Sequence, residues 1–155
     1  MALFLSTTYN RIDRKGRVSV PAPFRAALAG QAFQGVVLLR SPQHQALEGF
    51  SHSVMETIGG RLDKFDMFSA EQDDLAMAVF GEAMALPFDG EGRIVIPAHL
   101  LEHAGIEGEA AFVGMGRKFQ IWSPTILKAR QDAARANIKA QGLTIPAGNM
   151  AGGTE

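Results

Sequence analysis

"DRKGRVSVPA" at Asp13–Ala22 and "DGEGRIVIPA" at Asp89–Ala98 are one phrase written twice, at a constant offset of 76 residues. Both read Asp, two residues, Gly, Arg, a β-branched residue, any residue, a β-branched residue, Pro, Ala. An internal repeat of this kind constrains the fold before any single element does. Gly16 and Gly92 suit a tight turn, because glycine takes positive φ without steric cost. Val18 and Val20, like Ile94 and Ile96, recur with period two, as on a half-buried strand. Pro21 and Pro97 stop the strand and suit the opening of a helix. Phe24, Ala27 and Leu28 follow at helical spacing up to Gly30; Leu100, Leu101 and Ala104 do so up to Gly105.

The likeness continues downstream. Val36–Leu39 and Ala110–Val113 read as buried strands. Leu47 and Phe50 match Phe119 and Trp122 at an offset of 72, so the second connecting loop is four residues shorter. Gly114 and Gly116 lack the third glycine of a dinucleotide loop and read as a turn. Each copy is thus strand, turn, strand, helix, strand, strand, with a helix behind it. Ser51–Arg61 reads as a helix weakened by Gly59 and Gly60. Ser69 and Gln72 form a capping-box pattern opening a helix whose apolar stripe is Leu75, Ala76, Val79, Phe80, Ala83 and Met84, a core or subunit contact. Ser123-Pro124 opens a helix carrying Ile126, Leu127 and Ile138, which Gly142 stops. The expected organisation is a first repeat over 3–66, a connecting helix over 67–85, a second repeat with its C-terminal helix over 86–141, and a flexible tail over 142–155.

A lone two-stranded hairpin is unstable. Two copies pairing strand to strand close a small barrel and hide their edges. The expected fold is therefore α+β: a pseudo-two-fold β-barrel built from two internal repeats, with flanking helices. Arg17 and Arg93 fall on equivalent sites about the approximate axis.

Composition excludes several classes. The 155 residues are 46% hydrophobic and contain no cysteine, so no disulfide or thiolate site exists. The N-terminus lacks the basic start and apolar run of a signal peptide, and no stretch approaches a membrane span. A cytoplasmic protein is expected. The net charge of −1 hides an uneven distribution. Residues 1–25 hold five bases (Arg11, Arg14, Lys15, Arg17, Arg25) against Asp13, a net +4; residues 63–74 hold five acids against Lys64, a net −4. A run of bases in an exposed turn is an electrostatic footprint for an anionic polymer, whereas nothing places a nucleophile beside a base. The protein is not expected to be an enzyme.

Arg14, Lys15 and Arg17 crowd one turn and repel one another without an anion, so they are candidate DNA contacts. Asp13 and Asp89 are expected to orient Arg17 and Arg93. Arg93 divides evenly between bracing its turn and contacting DNA. Arg25 is either a solvated charge or a phosphate contact. His99 and His103 have a metal-ligand spacing but no accompanying zincin glutamate; solvent-facing histidines and no metal are expected. Arg117-Lys118 reads as an ordinary charged turn, and Phe119 and Trp122 as core.

"IDRKGRVSVPAPFR", "FDGEGRIVIPAHLLEHAGI" and "FVGMGRKFQIWSP" resemble the two halves of the MraZ family, which belongs to the AbrB-like swapped-hairpin (double-split barrel) proteins. The resemblance runs from about Leu3 to the helix after Trp122. It implies a transcriptional regulator that binds double-stranded DNA at direct repeats in the promoter of the division and cell-wall gene cluster. It also implies a homo-oligomeric ring, association with the nucleoid, and neither cofactor nor small-molecule substrate. The family's Asp-x-x-x-Arg signature falls on Asp13–Arg17 and Asp89–Arg93, and its basic hairpin contacts fall on Lys15 and Arg17. The second copy departs from this pattern: Glu91 replaces Lys15 and Gly90 replaces Arg14, which leaves the first copy to dominate DNA contact.

Overall fold

The computed structural model describes residues 3–148. The expected tail over 142–155 therefore lies partly outside the described residues. One compact unit extends to Pro124, and a second begins at Thr125.

The first copy supplies β1 (Thr7–Arg11), β2 (Arg17–Ser19), α1 (Ala22–Leu28), β3 (Gly35–Arg40), β4 (Leu47–Phe50) and α2 (His52–Leu62). After α3 (Ala70–Val79), the second supplies β5 (Met84–Pro87), β6 (Arg93–Val95), α4 (Ala98–Ala104), β7 (Glu109–Gly114), β8 (Phe119–Trp122) and α5 (Pro124–Gln141). The chain is mixed α and β, with one large antiparallel sheet. That sheet runs β1-β7-β8-β4-β3-β5, and β2 pairs with β6 in a separate ribbon.

Exchanging the two copies reverses the sheet order onto itself, so the topology has an internal two-fold. The axis passes between β4 and β8, where Glu48 lies opposite Gln120. The β3–β4 and β7–β8 ladders lie within a copy; β1–β7, β3–β5, β4–β8 and β2–β6 join one copy to the other. The edges that a single copy leaves open are thus satisfied by its twin.

Repeated apolar positions fill the core. Val18 and Ile94, Val20 and Ile96, Phe24 and Leu100, and Leu28 and Ala104 are all at most 2% exposed. Phe24, Phe112 and Phe119 join Phe4 in an aromatic cluster, with Phe4 centroids 5.2 Å from Phe24 and 5.1 Å from Phe119. Each large buried side chain contributes roughly 1.5–3 kcal/mol, against about 0–1 kcal/mol for an exposed ion pair. Stability therefore resides in the apolar positions. Trp122, as expected, is buried too.

The helix after Ser69 departs from expectation. Ser69 Oγ does accept from Gln72 N at 3.2 Å, but the helix ends at Val79 and none of its residues is buried. Leu75 and Phe80 are exposed, and Ala83 and Met84 are not helical. Gly81 is a poor helix former, and Met84 instead joins β5 opposite Leu38. The free edge of β3 offers ladder bonds that another helical turn would forgo. The stripe is consequently not core in this chain. Pro21 and Pro97 occupy the N-cap positions of α1 and α4, one residue before the helices proper.

Candidate nucleic-acid interface

The two repeated turns are built alike. Asp13 Oδ1 accepts from Lys15 N and Arg17 N, both at 2.9 Å, and Asp13 Oδ2 accepts from Arg17 Nε at 2.7 Å. Asp89 Oδ1 accepts from Glu91 N at 2.8 Å and Arg93 N at 3.0 Å, and its Oδ2 accepts from Arg93 Nε at 2.8 Å. Each carboxylate thus closes its turn and fixes its arginine. These bonds favour the ionised form. The backbone N–H of Arg17, and then its side chain, hold the Asp13 carboxyl below its ordinary value of 3.8. The backbone N–H of Arg93 acts first on Asp89 in the same direction. The Asp89 carboxylate in turn raises Arg93.

The glycines of the turns lock the copies together. Gly16 has φ +86° and Gly92 has φ +76°. Ile96 N donates to Gly16 O at 2.8 Å, and Val20 N donates to Gly92 O at 3.1 Å. The copies clasp each other through these two reciprocal bonds.

The β2–β6 ribbon decides where the arginines point. Arg17 lies opposite Val95, Val18 opposite Ile94, and Ser19 opposite Arg93. Val18 and Ile94 face the core, so period two directs Arg17, Ser19, Arg93 and Val95 outward. Arg17 and Arg93 are diagonal neighbours on this face, at a spacing of about 7–8 Å along the ladder. Val95 between them is 53% exposed, and Asn10 Nδ2 steadies the ribbon by donating to Ser19 O at 2.8 Å.

The charges around the face are unequal. Among the described residues Arg17 has one carboxylate partner, Asp13. Arg93 has two, Asp89 and Glu91, the latter at 2.9 Å. Among the described residues, no carboxylate pairs with Arg11, Arg14, Lys15 or Arg25. Arg14 and Lys15 are exposed at the first turn. Arg25 donates from Nε to Val20 O at 3.1 Å and lies over the other copy's Gly92, a contact with no sequence signal.

Other polar groups sit elsewhere than expected. His99 is exposed, but His103 is half-buried, with Nε2 3.2 Å from the His44 carbonyl oxygen; α4 packs that face toward the β3–β4 connection. Among the described residues, no group of three or more His, Cys, Asp or Glu side chains is arranged to hold a metal ion. Lys118 is more than a solvated turn charge. Its Nζ donates at 2.8 Å to Glu48 Oε1, a carboxylate buried at the two-fold axis, where Gln120 Nε2 also donates to both oxygens. Glu48 and Gln120 are equivalent at the offset of 72, so the repeat itself held the clue to this network.

Comparison with known proteins follows the same lines. The family model described as "MraZ protein, putative antitoxin-like" matches the chain twice, over residues 3–76 and 79–142. The chain is 42% identical to a protein of Gluconobacter oxydans (strain 621H) named Transcriptional regulator MraZ, with 100% of both chains covered. It is 42% identical to the protein of that name from Gluconacetobacter diazotrophicus, over 100% of this chain and 99% of the relative. The counterpart from Rickettsia bellii is 41% identical, over 94% of this chain and 97% of the relative.

Proposed function

The chain belongs to the MraZ family, and from that premise we propose that it regulates transcription by binding double-stranded DNA through the β2–β6 ribbon and its two turns. One observation carries this reading. Arg17 and Arg93 share the outward face of a two-stranded ribbon, and the ribbon's first turn adds Arg14 and Lys15, which have no carboxylate partner among the described residues. The major groove of B-DNA admits a two-stranded β-ribbon, and an arginine reaches guanine O6 and N7 in bidentate fashion. In this reading Arg17 reads a base, Lys15 and Arg14 hold phosphates, and Asp13 keeps Arg17 aimed. Arg93 contributes less, because Asp89 and Glu91 already occupy it. The target is the direct repeats in the promoter of the division and cell-wall gene cluster.

The finer architecture belongs to the same proposal. The ribbon and the large sheet together form the swapped-hairpin barrel, an assignment supported by the bridge between Ile12, the residue after β1, and Val18 of β2. Assembly into a homo-oligomeric ring is supported by the exposed Phe68 and Met77, at 94% and 68%. A ring multiplies weak single-turn contacts through effective concentration. The proposed location is the cytoplasm, at the nucleoid; no helix among the described residues is long and apolar enough to cross a membrane. No enzymatic role is proposed, nor a cofactor.

The test is a mobility-shift titration at two salt concentrations. One duplex carries the DNA immediately upstream of the chain's own gene, and the other is its scrambled counterpart. Tighter binding to the upstream duplex, weakening with salt by roughly 0.9 log units per log unit for each phosphate held, supports the reading. Equal binding to both duplexes removes the sequence-specific part, and no binding to either removes the whole.

A further inference from the structure

The second turn is acidic when taken alone. Residues 89–93 hold Asp89 and Glu91 against Arg93, a net −1, whereas residues 13–17 hold Arg14, Lys15 and Arg17 against Asp13, a net +2. A net-negative turn with its one arginine held between two carboxylates is poorly suited to approach a phosphate backbone. The fold places a further cation against it. Arg25 belongs to the first copy's α1, yet a Cβ added at Gly92 would lie 2.7 Å from Arg25 Nε and 2.8 Å from Cζ. The guanidinium occupies the space that a side chain at position 92 would fill.

The placement is held at both ends. Arg25 Nε donates to Val20 O, and Val20 N donates to Gly92 O. One residue, Val20, therefore ties Arg25 through its carbonyl and the backbone of the second turn through its N–H. With Nε engaged, the two terminal nitrogens of the guanidinium remain, and no carboxylate among the described residues pairs with them. Arg25 is exposed. The equivalent residue of the second copy, 76 positions on, is Leu101, which is half-buried against the core. The exchange is thus one-way: the first turn carries its own bases, and the second receives one from its twin.

We infer that Arg25 is the phosphate-binding cation of the second turn, so that this turn's DNA contact is a composite of residues from both copies. The inference rests on the DNA-binding reading above. It reassigns the division of labour within it: Arg25 acts beside Arg93 and not beside Lys15, and Glu91 is tolerated because Arg25 offsets it.

The experiment uses the full chain and fluorescence anisotropy with the upstream duplex and its scrambled counterpart. The variants are Arg25→Gln, Arg25→Lys and Lys15→Gln, each at several salt concentrations. Arg25→Gln should weaken binding to both duplexes by the same factor. It should also flatten the log affinity against log salt slope by about 0.9 for each subunit engaged. Arg25→Lys keeps the charge without the planar fork that bonds Val20 O, and should retain the slope. Equal losses in Arg25→Gln and Arg25→Lys would make Arg25 a brace of the turn and overturn the phosphate contact. An unchanged slope in Arg25→Gln, with Lys15→Gln flattened, overturns the inference and leaves the DNA reading standing. If the unsubstituted protein binds neither duplex, the DNA reading fails, and this inference falls with it.

Discussion

Asp13–Arg17 and Asp89–Arg93 have the same backbone and different charge. In both, one carboxylate accepts two main-chain N–H groups and the arginine Nε. In both, a positive-φ glycine passes its carbonyl oxygen to the other copy. The residues between differ: Arg14-Lys15 in one, Gly90-Glu91 in the other. The lesson is a separation of duties. Asp, Gly and the alternate β-branched residues set the shape of the turn, and the two positions between them are free to set its electrostatics. The two glycines also differ in what surrounds them. A Cβ at Gly16 would lie 2.3 Å from the Ile96 carbonyl oxygen, whereas at Gly92 it would meet the flexible side chain of Arg25.

The glycines give the largest expected difference. Gly16→Ala combines a left-handed backbone cost of about 1–2 kcal/mol with a backbone clash that cannot swing away, for a total of roughly 3 kcal/mol or more. Gly92→Ala should cost about 1–2 kcal/mol, because Arg25 can move. Urea denaturation of both variants checks this, and equal losses would mean that the two turns are packed alike. Next come the arginines. Arg17→Ala should lose about 1–3 kcal/mol of discrimination between upstream and scrambled DNA, and Arg93→Ala less. A greater loss for Arg93→Ala, with both proteins folded, would reverse the assignment of the copies.

Glu91→Lys makes the second turn resemble the first. It removes the Glu91–Arg93 ion pair and adds a base, so binding should tighten several-fold. The salt slope should steepen by about 0.9 for each added phosphate contact. Unchanged affinity and an unchanged slope would show that the second turn stays off the DNA. The smallest effect is common to both turns. Asp13 and Asp89 titrate below their ordinary value in the folded chain, so each adds stability above the unfolded pKa that is lost as pH falls through the folded one. Asp13→Asn should therefore flatten the loss of stability as pH falls through and below the ordinary value of 3.8. Both groups are exposed, so the change is slight. An acid limb identical to that of the unsubstituted protein would show that the bonds to Arg17 do not bias its titration.

Much of this was legible because the punctuation is local. Phe119–Trp122 is a strand with the limits that its residues suggest. Gly142 ends α5 as expected, and the Asp–Arg pairs sit at the spacing that lets one carboxylate close its own turn. The helix after Ser69 reads too long from sequence because Ala83 and Met84 suit a helical stripe and a strand equally well. Only the open edge of β3 chooses between them. His103 reads as a surface residue because nothing in α4 itself reveals the His44 carbonyl beside it. Arg25 reads equally as a solvated charge or a phosphate contact for a similar reason: the turn it lies against is in the other copy.

The sequence by itself determined that there are two copies, where each turn falls, which strand faces are buried, and that one turn is basic and the other acidic. These properties follow from period two, from glycine at positive φ and from side chains within five residues of one another. The tertiary structure decided which strand pairs with which, that Arg17 and Arg93 share one outward face, that Glu48 meets Gln120 at the axis, and that the Arg25 side chain lies against Gly92 of the other copy. Period two says that a face is buried but not against what. Each of these contacts is settled only when the open edges of one copy are satisfied by the other.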